Sequence, residues 1–279
     1  MYTEYQPSHL LVPYIDSYWE FKGNPDYGMR IHILPDGCTD FIFTLGEVAN
    51  AVEEGSLIMQ PYRSYFVGPM TKYSELVTYT ESIHMFGVRF LPCGLSCFTN
   101  LPLHEFVNSR VSTNEMKAVF DDTFIEKLGE QKHVTDRIRV VEEYLLAYLA
   151  RHYQPADSHV AMAVNMINHS KGKRSVRSLM DDVCLCQRHF ERKFKHYTGF
   201  TPKEYSRIVK FKNAVELLRT TTSANLLTTA VDAGYYDLAH FSKEIKSMSG
   251  NTPASFLSLT VPEETTLTYI EPVSYTHLR

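Results

Sequence analysis

Arg188 and Arg192 stand four residues apart in a stretch that also carries Gln187, Glu191 and Lys195. Residues at that spacing project from one face of a helix. An arginine there can grip the edge of a guanine with two hydrogen bonds, a contact that contributes about 1–3 kcal/mol of discrimination between bases. Alone, such a set is a solvated charged face. Its setting gives it more meaning: Phe190 and Phe194, also four apart, supply an opposite apolar side that Leu185 and Tyr197 extend. Some fifty residues on, the plan recurs. Asp237 stands as a helix cap, Phe241 and Ile245 as buried anchors, and Leu238, Ala239, His240, Lys243 and Lys246 on the open side. Leu238 and Ala239 suit thymine methyl groups; they equally suit a copy that only holds phosphate or binds a partner.

Presenting these side chains requires a supporting helix, a tight turn and a reading helix in each copy. In the first, Ser175 caps a helix to Val183 and the reading helix runs from Cys186 to Tyr197. In the second, the apolar run Leu226-Leu227-Thr228-Thr229-Ala230-Val231 leads to Gly234-Tyr235 and the next helix. Each reading helix is followed by Gly and Thr-Pro: Gly199-Phe200-Thr201-Pro202 and Gly250-Asn251-Thr252-Pro253. Pro202 fits the first turn of a helix reaching about Arg219, decorated by Lys203, Arg207, Lys210, Lys212 and Arg219. Roughly 18 residues span about 27 Å, near the ~34 Å between successive turns of a major groove. Ahead of the first copy lie a helix from Val160 to His169 and the basic loop Lys171-Gly172-Lys173-Arg174.

The charge distribution agrees. The chain of 279 residues has a net charge of -4. Residues 1–159 hold 12 Lys+Arg and 21 Asp+Glu, a net of -9, whereas residues 160–256 hold 15 and 8, a net of +7. A basic module joined to an acidic one suits a nucleic-acid binder with a separate control domain. No run of eighteen apolar residues predicts a membrane span, and the N-terminus lacks a secretory signal pattern. Five cysteines without a disulfide-like framework fit a reducing cytoplasm.

The first 110 residues read as short strands, Phe41–Leu45, Ser64–Val67 and Met85–Phe90, separated by Pro35-Asp36-Gly37, Glu54-Gly55-Ser56, Gly68-Pro69 and Pro92-Cys93-Gly94. Such a pattern predicts a sandwich or barrel. Helices are expected at Asn114–Leu128 and Thr135–Tyr153, either packed on the barrel or forming a dimer contact. Gln154-Pro155-Ala156-Asp157-Ser158 reads as a linker. Asp36, Asp40 and Arg89 are charged residues beside apolar strands: candidates for an effector contact, or an ion pair that fixes the fold. His32 and His84 show no paired-ligand spacing and Cys93 and Cys97 no zinc-ribbon spacing, so neither a metal nor a cofactor is expected. No phosphate-binding glycine loop or nucleophile elbow occurs, so no enzyme is expected.

Residues 160–256 resemble the DNA-binding domain of the AraC/XylS family of bacterial transcription regulators. The likeness rests on Phe190-Glu191-Arg192-Lys193-Phe194-Lys195, Thr198-Gly199-Phe200-Thr201-Pro202-Lys203-Glu204-Tyr205, Ala230-Val231-Asp232-Ala233-Gly234-Tyr235, His240-Phe241-Ser242-Lys243 and Gly250-Asn251-Thr252-Pro253-Ala254-Ser255-Phe256. The family's base-contacting positions fall on Arg188, Arg192, Leu238, Ala239, His240 and Lys243, to which Gln187 and Lys195 are added as neighbours on the same face. The chain departs from the family at Cys184 (usually Gly), Met180 (Ala), Cys186 (Ser), Thr229 (Ile) and Ile245 (Phe), and no Arg follows Phe256. Tyr18-Trp19-Glu20-Phe21, Leu34–Phe43, Phe66-Val67-Gly68-Pro69 and Gly87–Pro92 resemble an uncharacterised cupin-like domain found on some AraC-type regulators.

The resulting expectation is an α+β chain: a cupin-like β-barrel at 1–112, a helical connector at 113–158, an all-α domain with two helix-turn-helix motifs joined by a long helix at 159–258, and a polar, unpacked tail at 259–279. Val273–Arg279 reads like a translated sequencing adapter and is expected to be non-native. The implied function is sequence-specific binding to double-stranded promoter DNA in the bacterial cytoplasm. Control is expected from a small-molecule effector or from homodimerisation, with RNA polymerase a further candidate partner. The alternatives are a cupin-like binding protein or enzyme whose DNA-binding domain has degenerated, and a protein-interaction adaptor.

Overall fold

The structure, a computed structural model, describes residues 2–26, 30–46, 50–51, 59–77, 82–116, 119–120, 122–152, 154–183, 185–220, 226–254 and 268–271. The Glu54-Gly55-Ser56 turn, Cys184 and residues 273–279 lie outside them. The N-terminal part consists of β1 (Tyr2–Tyr5), β2 (Ile15–Gly23), β3 (Arg30–Ile33), β4 (Thr39–Thr44), β5 (Asn50–Ala51), β6 (Ser64–Val67), β7 (Ser74–Val77), β8 (Ile83–Phe90) and β9 (Arg110–Ser112). Backbone pairing sorts them into a six-stranded sheet, β1-β2-β8-β4-β6-β9, and a second sheet containing β3, β7 and β5. Side chains from the first sheet (Trp19, Phe21, Ile42, Met85) meet Ile31 and Leu76 of the second in one core. Alternation along each strand sends Tyr18, Phe41, Phe43, Phe66 and Phe86 to the other face. Gly87 leaves room for the indole of Trp19: a Cβ there would lie 1.9 Å from Trp19 Cε2.

That other face is covered by α1 (Asp122–Gly129) and α2 (Val134–His152), which bury Phe124, Leu128, Val141 and Leu145 against it. The connector helices therefore pack on the sheet. The helix expected at 114–128 is shorter: a 3-10 turn covers Thr113–Glu115, and Phe120 inserts edge-on against Phe41 and Phe43 at 5.1 and 5.3 Å between ring centroids. The apolar spacing of Val119 and Phe120 records docking onto the sheet rather than a helical period. Arg137 of α2, 5% exposed, donates to Glu20 Oε1 at 2.9 Å and to the carbonyl of Gln131 at 2.6 Å.

The C-terminal part is helical: α3 (Ser158–His169), α4 (Val176–Val183), α5 (Gln187–Thr198), α6 (Pro202–Thr220), α7 (Leu226–Asp232) and α8 (Leu238–Ser249). One core runs through all six and takes in Leu34 and Cys93 of the strand-rich part, so the two parts share apolar packing. The tail, read as unpacked, is corrected in one respect: Thr268–Glu271 forms β10, antiparallel to β3, with Thr268 opposite Ile33 and Glu271 opposite Arg30. An edge strand offers unpaired backbone donors and acceptors, and Thr-Tyr-Ile suits extended pairing even in a polar segment. Among the described residues no helix is long and apolar enough to cross a membrane.

Candidate nucleic-acid interface

Each reading helix is placed by its anchors and its ends. Phe190 and Phe194 of α5, and Phe241 and Ile245 of α8, are fully buried. Burying side chains of this size contributes about 1.5–3 kcal/mol each, which fixes the roll of each helix about its axis. Asp237 caps α8 as expected, accepting from the backbone N–H of His240 at 2.7 Å. Ser175 Oγ accepts from Ser178 N–H at 3.1 Å at the start of α4. Cys186 occupies the cap position of α5 with extended backbone and no side-chain cap bond, and His189 N–H donates instead to the Cys186 carbonyl at 3.0 Å. The two C-termini are built alike: Thr198 Oγ1 donates to the Phe194 carbonyl and accepts from Phe200 N–H, and Ser249 Oγ donates to the Ile245 carbonyl and accepts from Asn251 N–H.

With the anchors inward, Gln187, Arg188, Arg192 and Lys195 are exposed together on α5, and Leu238, Ala239, His240 and Lys243 on α8. Gln187 Nε2 donates to Glu191 Oε1 at 2.8 Å, and Arg192 Nη2 sits 3.1 Å from His189 Nδ1. The α8 face has an apolar border: Leu227, Val231, Tyr236 and Leu238 are all exposed.

The linking helix α6 differs from its sequence reading. Its cations are largely engaged inside the protein. Arg207 makes a two-pronged bond to Glu244 of α8 at 2.7 and 3.1 Å, Lys210 lies 5.6 Å from the centre of the Tyr235 ring, and Lys212 donates to the carbonyl of Asp36 at 3.3 Å. A reciprocal capping box, Thr201 with Glu204, starts this helix: Thr201 N–H donates to Glu204 Oε2 at 2.7 Å and Glu204 N–H to Thr201 Oγ1 at 3.2 Å. The Thr-x-x-Glu spacing signals it in the sequence.

The structure brings Asp36, Asp40 and Arg89 together in the strand-rich domain. Arg89 Nε lies 3.3 Å from Asp40 Oδ1 and 3.4 Å from Asp36 Oδ2, and Nη1 reaches Glu4 Oε1 at 3.1 Å, a partner that sequence reading missed. Trp19 Nε1 donates to Asp40 Oδ1 at 2.7 Å. Burial pushes the Asp40 carboxyl up to about 6, with Arg89 opposing the rise and Asp36 adding to it. The cluster is thus a buried ion pair network that holds β1, β4 and β8. Its Asp40 and Arg89 end lines a small apolar cavity of about 50 Å³ between the sheets. Asp36 instead faces a cleft of about 780 Å³ between the strand-rich domain and α6, lined also by Asp16, Tyr205, Lys212 and Asn213. His84 Nε2 is 2.9 Å from Glu20 Oε1, and His32 Nε2 is 4.0 Å from Glu75 Oε2 with its ring stacked on Tyr73. No cluster of three or more His, Cys, Asp or Glu suited to a metal ion occurs among the described residues.

Residues 179–258 match a family model described as a helix-turn-helix domain, and residues 3–112 match one described as a domain of unknown function, DUF6597. No curated protein matches the chain. Among solved structures, ToxT from Vibrio cholerae is 9% identical, with 87% of this chain and 98% of that one covered at a TM-score of 0.51. Wild-type ToxT from Vibrio cholerae strain SCE256 with an unsaturated fatty acid bound is 12% identical, covering 87% and 95%, at 0.50. A probable AraC family transcriptional regulator from Rhodopseudomonas palustris CGA009 is 20% identical over 37% of this chain and 96% of that one, at 0.34. At such identities the ToxT likeness shows a shared fold. The chain thus joins a helix-turn-helix domain to a domain of unknown function, DUF6597, on a fold that it shares with ToxT.

Proposed function

We propose that the chain is a sequence-specific transcription regulator in which α5 is the main reader of promoter DNA and α8 a second contact. The observation that carries this is the contrast in how the cations are used. Arg188 and Arg192 stand free of ion pairs among the described residues on a helix locked by two buried phenylalanines, while Arg207 and Lys212 of the linking helix bind protein groups. Lys195 and Lys243 extend the two faces toward phosphates, with Gln187 and His240 beside them. Selection of bound sequences from a random DNA pool by the full chain, followed by salt titration of the winner, tests the reading. One enriched motif bound with a steeply negative salt slope is expected. Absence of enrichment above unselected DNA would favour a degenerate DNA-binding domain.

Control by a small-molecule effector, or by dimerisation through the N-terminal domain, completes the reading. ToxT, with which the chain shares a fold, has been solved with an unsaturated fatty acid bound. The cavity beside Arg89 is far below the ~300–1,000 Å³ usual for ligand sites, and Arg89 already holds three carboxylates. The cleft between the domains is of suitable size. Asn213, 6% exposed, lines it, and its buried side-chain oxygen and nitrogen have no hydrogen-bond partner among the described residues, a shortfall that a polar ligand reached by a small movement of the side chain would relieve. Small carboxylates and sugars that raise the melting temperature of the wild-type chain should lose that effect in Asn213→Leu. Shifts that survive the substitution would remove the cleft from consideration.

A further inference from the structure

The glycines that end the two reading helices, Gly199 and Gly250, have left-handed backbone at φ 83° and 78°. Each lies beneath a residue of the same N-terminal loop. A Cβ at Gly199 would lie 2.5 Å from Pro69 Cγ, and one at Gly250 would lie 2.8 Å from Tyr73 Cζ. Pro69 and Tyr73 are four residues apart in the connection between β6 and β7. One loop therefore touches equivalent points on both copies of the duplicated unit.

The loop is itself braced. Gly68 N–H donates to the Ser109 carbonyl at 3.0 Å, and Asn108 N–H to the Pro69 carbonyl at 2.9 Å. Thr71 N–H donates to Asn108 Oδ1 at 2.8 Å, and Asn108 Nδ2 to Thr71 Oγ1 at 2.8 Å. The Tyr73 ring stacks on His32 of β3, 5.7 Å between centroids and 13° between planes. On the α5 side the contact widens: the carbonyl of Leu103 approaches Gly199, and His196 Nε2 lies 3.0 Å from Asn100 Oδ1.

We propose that the loop Gly68–Tyr73 sets the distance and rotational phase between the two reading helices on DNA, so that Pro69 and Tyr73 are positioning residues for spacing although neither touches DNA. The proposal rests on the assignment of α5 and α8 as readers. The linking helix, the core it shares with both units and the Arg207 bond to Glu244 join the two units from one side; an attachment at each reading-helix end to one loop braces them from the other. Two linked modules gain from each other only where the link lets both engage at once. A stiff link makes that gain sharply dependent on the spacing of the half-sites, and a slack link blunts the dependence.

The test uses the full chain and the sequence that the wild type selects from a random pool. One base pair inserted between the half-sites moves the second by about 3.4 Å and turns it by about 35°. The insertion is expected to cost the wild type about 100-fold in affinity and Tyr73→Ala less than about 10-fold, with binding to an isolated half-site equal in both. Pro69→Ala should move the same way. Equal penalties in wild type and variants overturn the proposal. A second measurement needs no DNA: spin labels at the exposed positions Lys195 and Lys246, with Cys184 and Cys186 replaced by Ser, should give a narrow distance distribution that broadens in Tyr73→Ala. An unchanged width overturns the proposal. Failure to select any DNA, with broadening retained, would instead overturn the assignment of the readers.

Discussion

Arg89→Met will destabilise the N-terminal domain by about 3–5 kcal/mol, the usual cost of removing one partner from a buried ionic network. The Arg89 side chain is 5% exposed and is shared by Glu4 from one segment and by Asp36 and Asp40 from another. Its loss leaves three carboxylates facing one another in a poorly hydrated space. Asp40, already raised by burial, would then hold its proton more tightly still. Arg89→Lys should recover little, because a single ammonium cannot span partners that the planar fork reaches at once. Urea unfolding of both variants measures the effect. A loss below about 1 kcal/mol would mean that water already screens the cluster as it does a surface pair.

Arg192→Ala should weaken binding to the selected DNA far more than binding to unrelated duplex. A bidentate contact with guanine is worth about 1–3 kcal/mol of discrimination, roughly a 5- to 150-fold change. Arg192 projects from the same face as Arg188, and in the free protein its guanidinium rests against His189. Replacing it removes no anchor, since Phe190 and Phe194 hold the helix from the opposite side. Gel-shift titrations on specific and scrambled DNA at one salt concentration separate the two affinities. A proportionate fall in both would assign Arg192 to phosphate.

The helical half of the molecule was legible in the sequence because its signals are local. Phe190 with Phe194, Phe241 with Ile245, and Asp237 at a helix start each act within about one turn, and all behave as their spacing implies. The strand-rich half was legible as short strands with turns. What escaped were contacts between distant segments. Glu4 lies 85 residues before Arg89, and Lys212 reaches a backbone carbonyl 176 residues away. The Arg207 bond to Glu244 could be suspected only once α6 and α8 were known to be neighbours. Polarity concealed β10, because backbone pairing at a sheet edge makes little demand on side-chain hydrophobicity. The candidate effector residues illustrate the same limit: their charges were visible, but only the fold shows Arg89 closed upon itself and Asp36 turned to the cleft.

The pairing of β10 with β3 also has a consequence for biosynthesis. Thr268 follows its partner Ile33 by 235 positions. At ribosomal rates of about 5–20 residues per second, the β3 edge waits roughly 10–50 s for the strand that covers it. During that interval the nascent chain carries an open strand edge beside apolar Ile31 and Ile33, a surface prone to pairing with other chains. Messages that stall within the helical half would leave that edge uncovered. Their products should therefore depend on chaperones more than full-length chains do.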